Sequence, residues 1–137
     1  MFLKTMEPRF SETDAMGHIN NNSYSVWFEV AREPIFRFFS PDLDLKNSNL
    51  IMAHISCDFY SEVFYGKEIL IKTAIEKIGR SSVNITHALY QNNKLCTTGK
   101  AVLIHYDYNE KKSIEIDESI KCLLQEHICE KEWNKYI

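Results

Sequence analysis

Apolar residues recur at two different spacings along the chain, and the change of spacing divides it. From Ser23, Tyr24, Trp27, Phe28, Ala31, Ile35 and Phe38 fall at helical intervals, gathering on one aromatic-rich stripe that must bury against a broad apolar surface. Pro34 lies inside this pattern and cannot donate to the Val30 carbonyl, which predicts a kink or break near Glu33. Residues 40–49 then read as loop. From residue 50 the interval drops to two, as expected of strands. Segments 50–60, 67–79, 80–91 and 95–108 are four strand candidates. Ile69, Ile71, Thr73 and Ile75 share one face, as do Val83, Ile85, His87 and Leu89, and then Val102, Ile104 and Tyr106. Gly79 and Asn92-Asn93 punctuate the run, which argues for an antiparallel meander. Helical spacing returns over 117–133 through Ile120, Leu123, Leu124 and Ile128, with Asp117 or Ser119 placed to cap it. Ahead of the first helix, residues 2–10 read as a strand ending at Pro8-Arg9-Phe10, and 11–22 as a loop. The order predicts an α+β domain spanning 1–137. It is one antiparallel five-stranded sheet with a long helix buried on its concave face and a short helix at the C-terminal end.

Composition changes this picture little. The 137 residues are 45% hydrophobic and 26% charged, with a formal net charge of −3 and no basic block. That argues against nucleic acid as a partner and for an ordinary water-soluble globule. Neither a signal-peptide core nor a membrane-length apolar run is present, so a cytoplasmic location is expected. Cys57, Cys96, Cys122 and Cys129 match no zinc-knuckle or CxxC spacing and read as reduced, small hydrophobes.

The chemistry is concentrated just before the long helix. Glu12, Asp14, Gly17, His18, Asn20, Asn21 and Asn22 fall within a run of eleven residues that leads straight into Ser23 and Tyr24. In part this is a helix cap, since Asn and Ser are favoured at that position. The same free N–H groups, around Asn22 to Tyr24, are also suited to polarising a carbonyl oxygen and holding the oxyanion that develops on it. A carboxylate immediately before such a helix can activate water or attack an acyl carbon. No G-x-S-x-G elbow is present, which disfavours a serine-triad hydrolase.

The run from Arg9 through Glu12, Asp14, Gly17-His18, Asn20-Asn21 and Tyr24 to Glu29, Ala31 and Arg32 resembles the signature of the hotdog-fold acyl-CoA thioesterases. The branch is that of 4-hydroxybenzoyl-CoA thioesterase and its YbgC-like relatives. The resemblance extends through the "IGRSSV" hairpin (78–83) to "IEIDESIKCLL" (114–124). It implies hydrolysis of an acyl-CoA thioester to free acid and CoA with no metal or other cofactor, CoA entering only as part of the substrate. It also implies a homodimer or homotetramer, with sheets joined edge to edge and sites between protomers. Benzoyl-CoA-type relatives carry their acid at the position of Glu12. Plant acyl-carrier-protein thioesterases carry theirs at Asp14, with a histidine at His18. The catalytic candidates are thus Asp14, Glu12 and His18: Asp14 is favoured slightly as the acid, Glu12 stays open, and His18 either serves or orients the site or holds the loop structurally. Asn20, Asn22, Ser23 and Tyr24 are the candidates for oxyanion binding and substrate orientation.

Further candidates are Glu29, which either pairs with Arg32 or Arg37 or assists the site, and Arg80, Ser81 and Ser82, at the position where relatives pass a strand beside the pantetheine arm. Two features depart from the family. The segment 58–68 lacks the Tyr-x-x-Pro that relatives place before the third strand, and Pro34 interrupts the helix. His54, His87, His105 and Cys57 match no motif and read as sheet residues. The rival functions are an acyl-ACP thioesterase, a hotdog dehydratase or hydratase, and a non-catalytic acyl-CoA-binding module. The first wants a basic surface, the second a different Asp/His arrangement, and the third a loop without its carboxylates.

Overall fold

The structure is a computed structural model that describes residues 1–44 and 49–129. Five strands, β1 (Phe2–Met6), β2 (Leu50–Phe59), β3 (Ile69–Ile78), β4 (Ser82–Gln91) and β5 (Lys94–Asp107), form an antiparallel sheet in the order β1-β3-β4-β5-β2, and a short β6 (Lys112–Ser113) pairs with β5. Helices α1 (Asn21–Ala31), α2 (Glu33–Phe39) and α3 (Glu118–Gln125) complete the α+β domain. Residues 45–48 of the expected loop and residues 130–133 of the expected last helix lie outside the described residues.

The predicted break is present. Arg32 ends α1, and Pro34 sits in the first turn of α2, where its missing N–H would have no helical partner. Tyr24, Trp27, Phe28 and Ala31 are buried as the stripe predicted, and they pack with Ile69, Ile71, Leu89 and Cys96. Beyond the break the stripe widens: Ile35 and Phe39 are buried in a second cluster with Ile75, Val83, Ile85, Leu103 and Leu124, and Phe38 packs against it half-buried. The first strand is shorter than expected, because the chain leaves the sheet before Pro8 and closes a single 3-10 turn at Phe10–Glu12.

On β5, Val102, Ile104 and Tyr106 share a face as expected, but the core takes the other one. Thr97, Gly99, Ala101, Leu103 and His105 point inward, while Val102, Ile104 and Tyr106 are half-exposed. The helix layer needs room more than it needs apolar bulk there. A Cβ at position 99 would lie 2.6 Å from Phe28 Cε2, so only glycine lets the Phe28 ring reach the sheet. At the β4–β5 turn, Asn92 and Asn93 both adopt positive φ (53° and 61°), as a two-residue hairpin of the sheet's twist requires.

The two sheet edges are β1 and β2. The β2 edge is apolar but open to solvent: Ile51, Met52, Ile55 and Phe59 are 37–53% exposed. Among the described residues, no helix is long and apolar enough to cross a membrane.

Candidate active site

The loop between the 3-10 turn and α1 is organised by its own carboxylates. Asp14 Oδ1 accepts from the backbone N–H groups of Met16 (2.8 Å) and His18 (3.1 Å), and the Asp14 N–H donates to the His18 carbonyl (2.7 Å). Gly17 closes this turn at φ +79°, a conformation that glycine adopts without a side-chain penalty. A bridge between Thr13 and Ile19 pins the loop's base, and Ile19 is buried in the core.

Glu12 is engaged differently. Its Oε1 accepts from the Arg9 N–H (2.7 Å) and its Oε2 from the indole Nε1–H of buried Trp27 (2.7 Å). Both oxygens hold the fold together. Asp14, by contrast, uses only Oδ1, and among the described residues no partner occupies Oδ2.

Asp14, His18, Asn21 and Tyr24 line one side of a cavity of about 340 Å³; Phe59, Tyr60, Ser61, Glu62 and Val63 line the other. Glu12 does not line it. Tyr24 packs edge-on against Phe59 (5.0 Å between centroids), and the Val63 backbone lies beside its hydroxyl. Burial pushes the Tyr24 phenol above its ordinary value, which keeps it a neutral O–H donor.

The sequence placed the helix's free donors at Asn22 to Tyr24, and the geometry moves them. Asn20 caps α1, its Oδ1 accepting from Asn22 N–H (2.9 Å), while its carbonyl accepts from Ser23 N–H (2.9 Å). Those two amides are therefore consumed by the cap. The Asn21 N–H, at the first helical position and on the cavity wall, has no partner among the described residues. Asn20 thus shapes the site without lining it, and Asn22 and Ser23 face elsewhere.

Glu29 is exposed on α1 and away from the cavity. It forms a salt bridge with neither proposed arginine, although its charge partly offsets the lowering of the Arg32 pKa by burial. Arg37 is held by Glu33 (2.7 Å), and Arg32 is buried, donating from Nη1 to His87 Nε2 (3.2 Å). Arg80 and Ser81 lie in the β3–β4 turn and Ser82 opens β4; the Arg80 carbonyl accepts from Ile116 N–H and the Ser81 carbonyl from His105 N–H. This turn lies at the far end of β4 from the cavity, roughly 30 Å along the strand at the usual rise.

Sequence reasoning missed the cavity's second wall. Tyr60 and Ser61 donate to the Cys96 carbonyl (2.8 and 3.1 Å), and Glu62 Oε1 lies 3.2 Å from His18 Nδ1. No periodicity marks residues 60–68, so the pattern held no signal for them. The only hint was a glutamate in a segment that departs from the family motif.

The family model of the thioesterase-like superfamily matches residues 8–124. The chain belongs to that superfamily. This thioesterase is 34% identical to a predicted thioesterase from Bacillus stearothermophilus, whose structure superposes with a TM-score of 0.93 over 96% of this chain and 98% of that one. It is similar to a DHNA-CoA thioesterase from Staphylococcus aureus, at 26% identity and a TM-score of 0.79, covering 91% of each chain. It is also 29% identical to YsmA of Bacillus subtilis over 90% of this chain and 85% of that protein. The fold is therefore the hotdog fold of the thioesterases, and the enzyme is a thioester hydrolase.

Proposed function

We propose that the enzyme hydrolyses an acyl-CoA thioester, with Asp14 as general base. The observation that carries this reading is the asymmetry of Asp14. One oxygen is fixed by the loop's own amides, and the other is unengaged at a cavity that also presents the Asn21 N–H and the Tyr24 hydroxyl. Water attacks the acyl carbon as Asp14 takes its proton. The carbonyl electrons move onto oxygen, where the Asn21 amide and Tyr24 hydroxyl donate to it. Collapse of the tetrahedral species breaks the C–S bond, and the departing sulfur recovers a proton from Asp14. A DHNA-CoA thioesterase among the similar structures supports CoA as the carrier. The net charge of −3 without a basic block gives an acidic carrier protein little to dock on.

The β2 edge supports a dimer. It is ten residues long, apolar and, among the described residues, unpaired on its outer side. A two-fold pairing of β2 with its copy is antiparallel, so it brings the partner's Leu50 end beside this chain's Phe59 end, where the cavity lies. Leu50 pairs with His105, and the neighbouring Ile104 pairs with Ser82. In that arrangement Arg80 of the partner subunit comes to the cavity side, where the pantetheine or phosphates of CoA would extend. This reconciles the remote position of the 80–82 turn with the role that the family resemblance implies.

The test of the reaction is free-thiol release from a panel of short, medium, long and aromatic acyl-CoAs. Turnover of at least one class is expected; tight binding without turnover would instead identify a binding module. For the assembly, Ile55→Glu places a charge in the middle of the exposed edge and is expected to give monomers in light scattering. A variant that remains dimeric would exclude this edge as the interface.

A further inference from the structure

The pair between His18 and Glu62 joins two segments that are anchored independently. His18 belongs to the Asp14 loop, its backbone N–H bonded to Asp14 Oδ1. Glu62 sits between two fixed points of the segment after β2. On one side Tyr60 and Ser61 donate to the Cys96 carbonyl, and Tyr60 Oη lies 3.1 Å from Thr98 Oγ1. On the other, Val63 is 1% exposed, and the buried Gln91 side chain brackets Phe64, accepting from its N–H and donating to its carbonyl, each at 2.9 Å. Gln91 also donates to the Lys67 carbonyl (3.1 Å). The Glu62 backbone thus lies between two hydrogen-bonded anchor points.

A pair this exposed, with side chains 43% and 56% accessible, contributes little to stability. Its consequence is orientation. A carboxylate only accepts, so in the neutral imidazole Nδ1 must carry the proton, and Nε2 is left with a lone pair. Resting on the thioesterase reading above, we infer that Glu62 is a positioning residue. It fixes His18 as the Nδ1–H tautomer, so that Nε2 serves the cavity as a second acceptor beside Asp14 Oδ2. A water molecule held through one hydrogen by Asp14 and through the other by His18 has its oxygen lone pair free for the acyl carbon. The base then receives its proton from a water of fixed orientation.

The tautomer can be read without any substrate. Two-bond ¹⁵N–¹H correlation spectra at pH 8.5 are expected to give His18 as Nδ1–H in the wild type, redistributed toward Nε2–H in Glu62→Ala and retained in Glu62→Gln, whose carbonyl still accepts. In thiol-release assays Glu62→Ala is expected to lower kcat about 10- to 100-fold with KM nearly unchanged. Glu62→Gln should keep most activity, and Glu62→Ala should add nothing in a His18→Ala background. A wild-type Nε2–H tautomer, or an unchanged tautomer in Glu62→Ala, overturns the inference even if the enzyme turns over acyl-CoA. The expected tautomers in a protein inactive on every acyl-CoA would leave the positioning intact and overturn the substrate reading instead.

Discussion

Asp14→Asn is expected to lower kcat for acyl-CoA hydrolysis by about 10²- to 10⁴-fold, the range a general base supplies. The melting temperature should hardly move. The asparagine carbonyl oxygen can replace Oδ1 and keep both the Met16 and the His18 amide bonds, so the loop retains its shape while the unengaged oxygen becomes an NH₂ group that cannot accept a proton. Glu12→Gln should behave in the opposite way. Both Glu12 oxygens accept, one from the Arg9 N–H and one from the Trp27 indole N–H. An amide offers one acceptor and one donor group, so one of those bonds is replaced by a donor facing a donor. The expected cost is about 1–3 kcal/mol of stability, seen as a lower melting temperature, with kcat reduced less than about tenfold. Measuring thiol release and thermal unfolding on both variants separates the roles. If Glu12→Gln loses about 10²-fold in kcat at unchanged stability while Asp14→Asn stays active, the reacting acid is Glu12.

That contrast marks where the sequence was legible. Motif and spacing brought Glu12 and Asp14 to the same loop but could not separate them, because the separation depends on Trp27, which reaches back from α1 to hold one of the two. The long helix and its break were legible, since Pro34 disrupts a helix wherever it occurs, and so were the inward faces of β3 and β4. The inward face of β5 was not. Periodicity assigns the core to the more apolar face, and here Phe28 needs Gly99 beneath the helix instead. Glu62 was illegible for another reason. Its place is set by Gln91 and Cys96, more than twenty residues away, with no local pattern to announce it. Arg32 is 3% exposed and bonded to His87, a sheet residue of β4, and no spacing in the sequence signals that buried contact.

That buried pair gives the second large effect. Arg32 can only donate, so His87 Nε2 must accept, and His87 Nδ1–H donates to Thr73 Oγ1 (2.9 Å). Phe28 stacks on the imidazole at 4.7 Å and 7°. Burial, and then the Arg32 charge, push the His87 pKa down to about 3. His87→Leu removes the acceptor and strands a buried guanidinium whose Nε already has no partner among the described residues. The expected loss is about 3–5 kcal/mol in urea unfolding at pH 8. Adding Arg32→Met should restore much of it, since the double variant has no buried charge left to satisfy. The same histidine sets a pH window. At pH 8 it is neutral in both folded and unfolded chains. Below the ordinary value of about 6.5 the unfolded chain takes up a proton that the folded one refuses until about pH 3, so wild-type stability falls through that interval. The slope from this one residue is about 1.4 kcal/mol per pH unit. His87→Leu lacks that slope, so the stability gap between it and the wild type should narrow from pH 8 to pH 4.5. A gap that stays constant would mean that His87 takes up its proton over the same pH range in the folded chain as in the unfolded one, and that the Arg32 contact is not the hydrogen bond described.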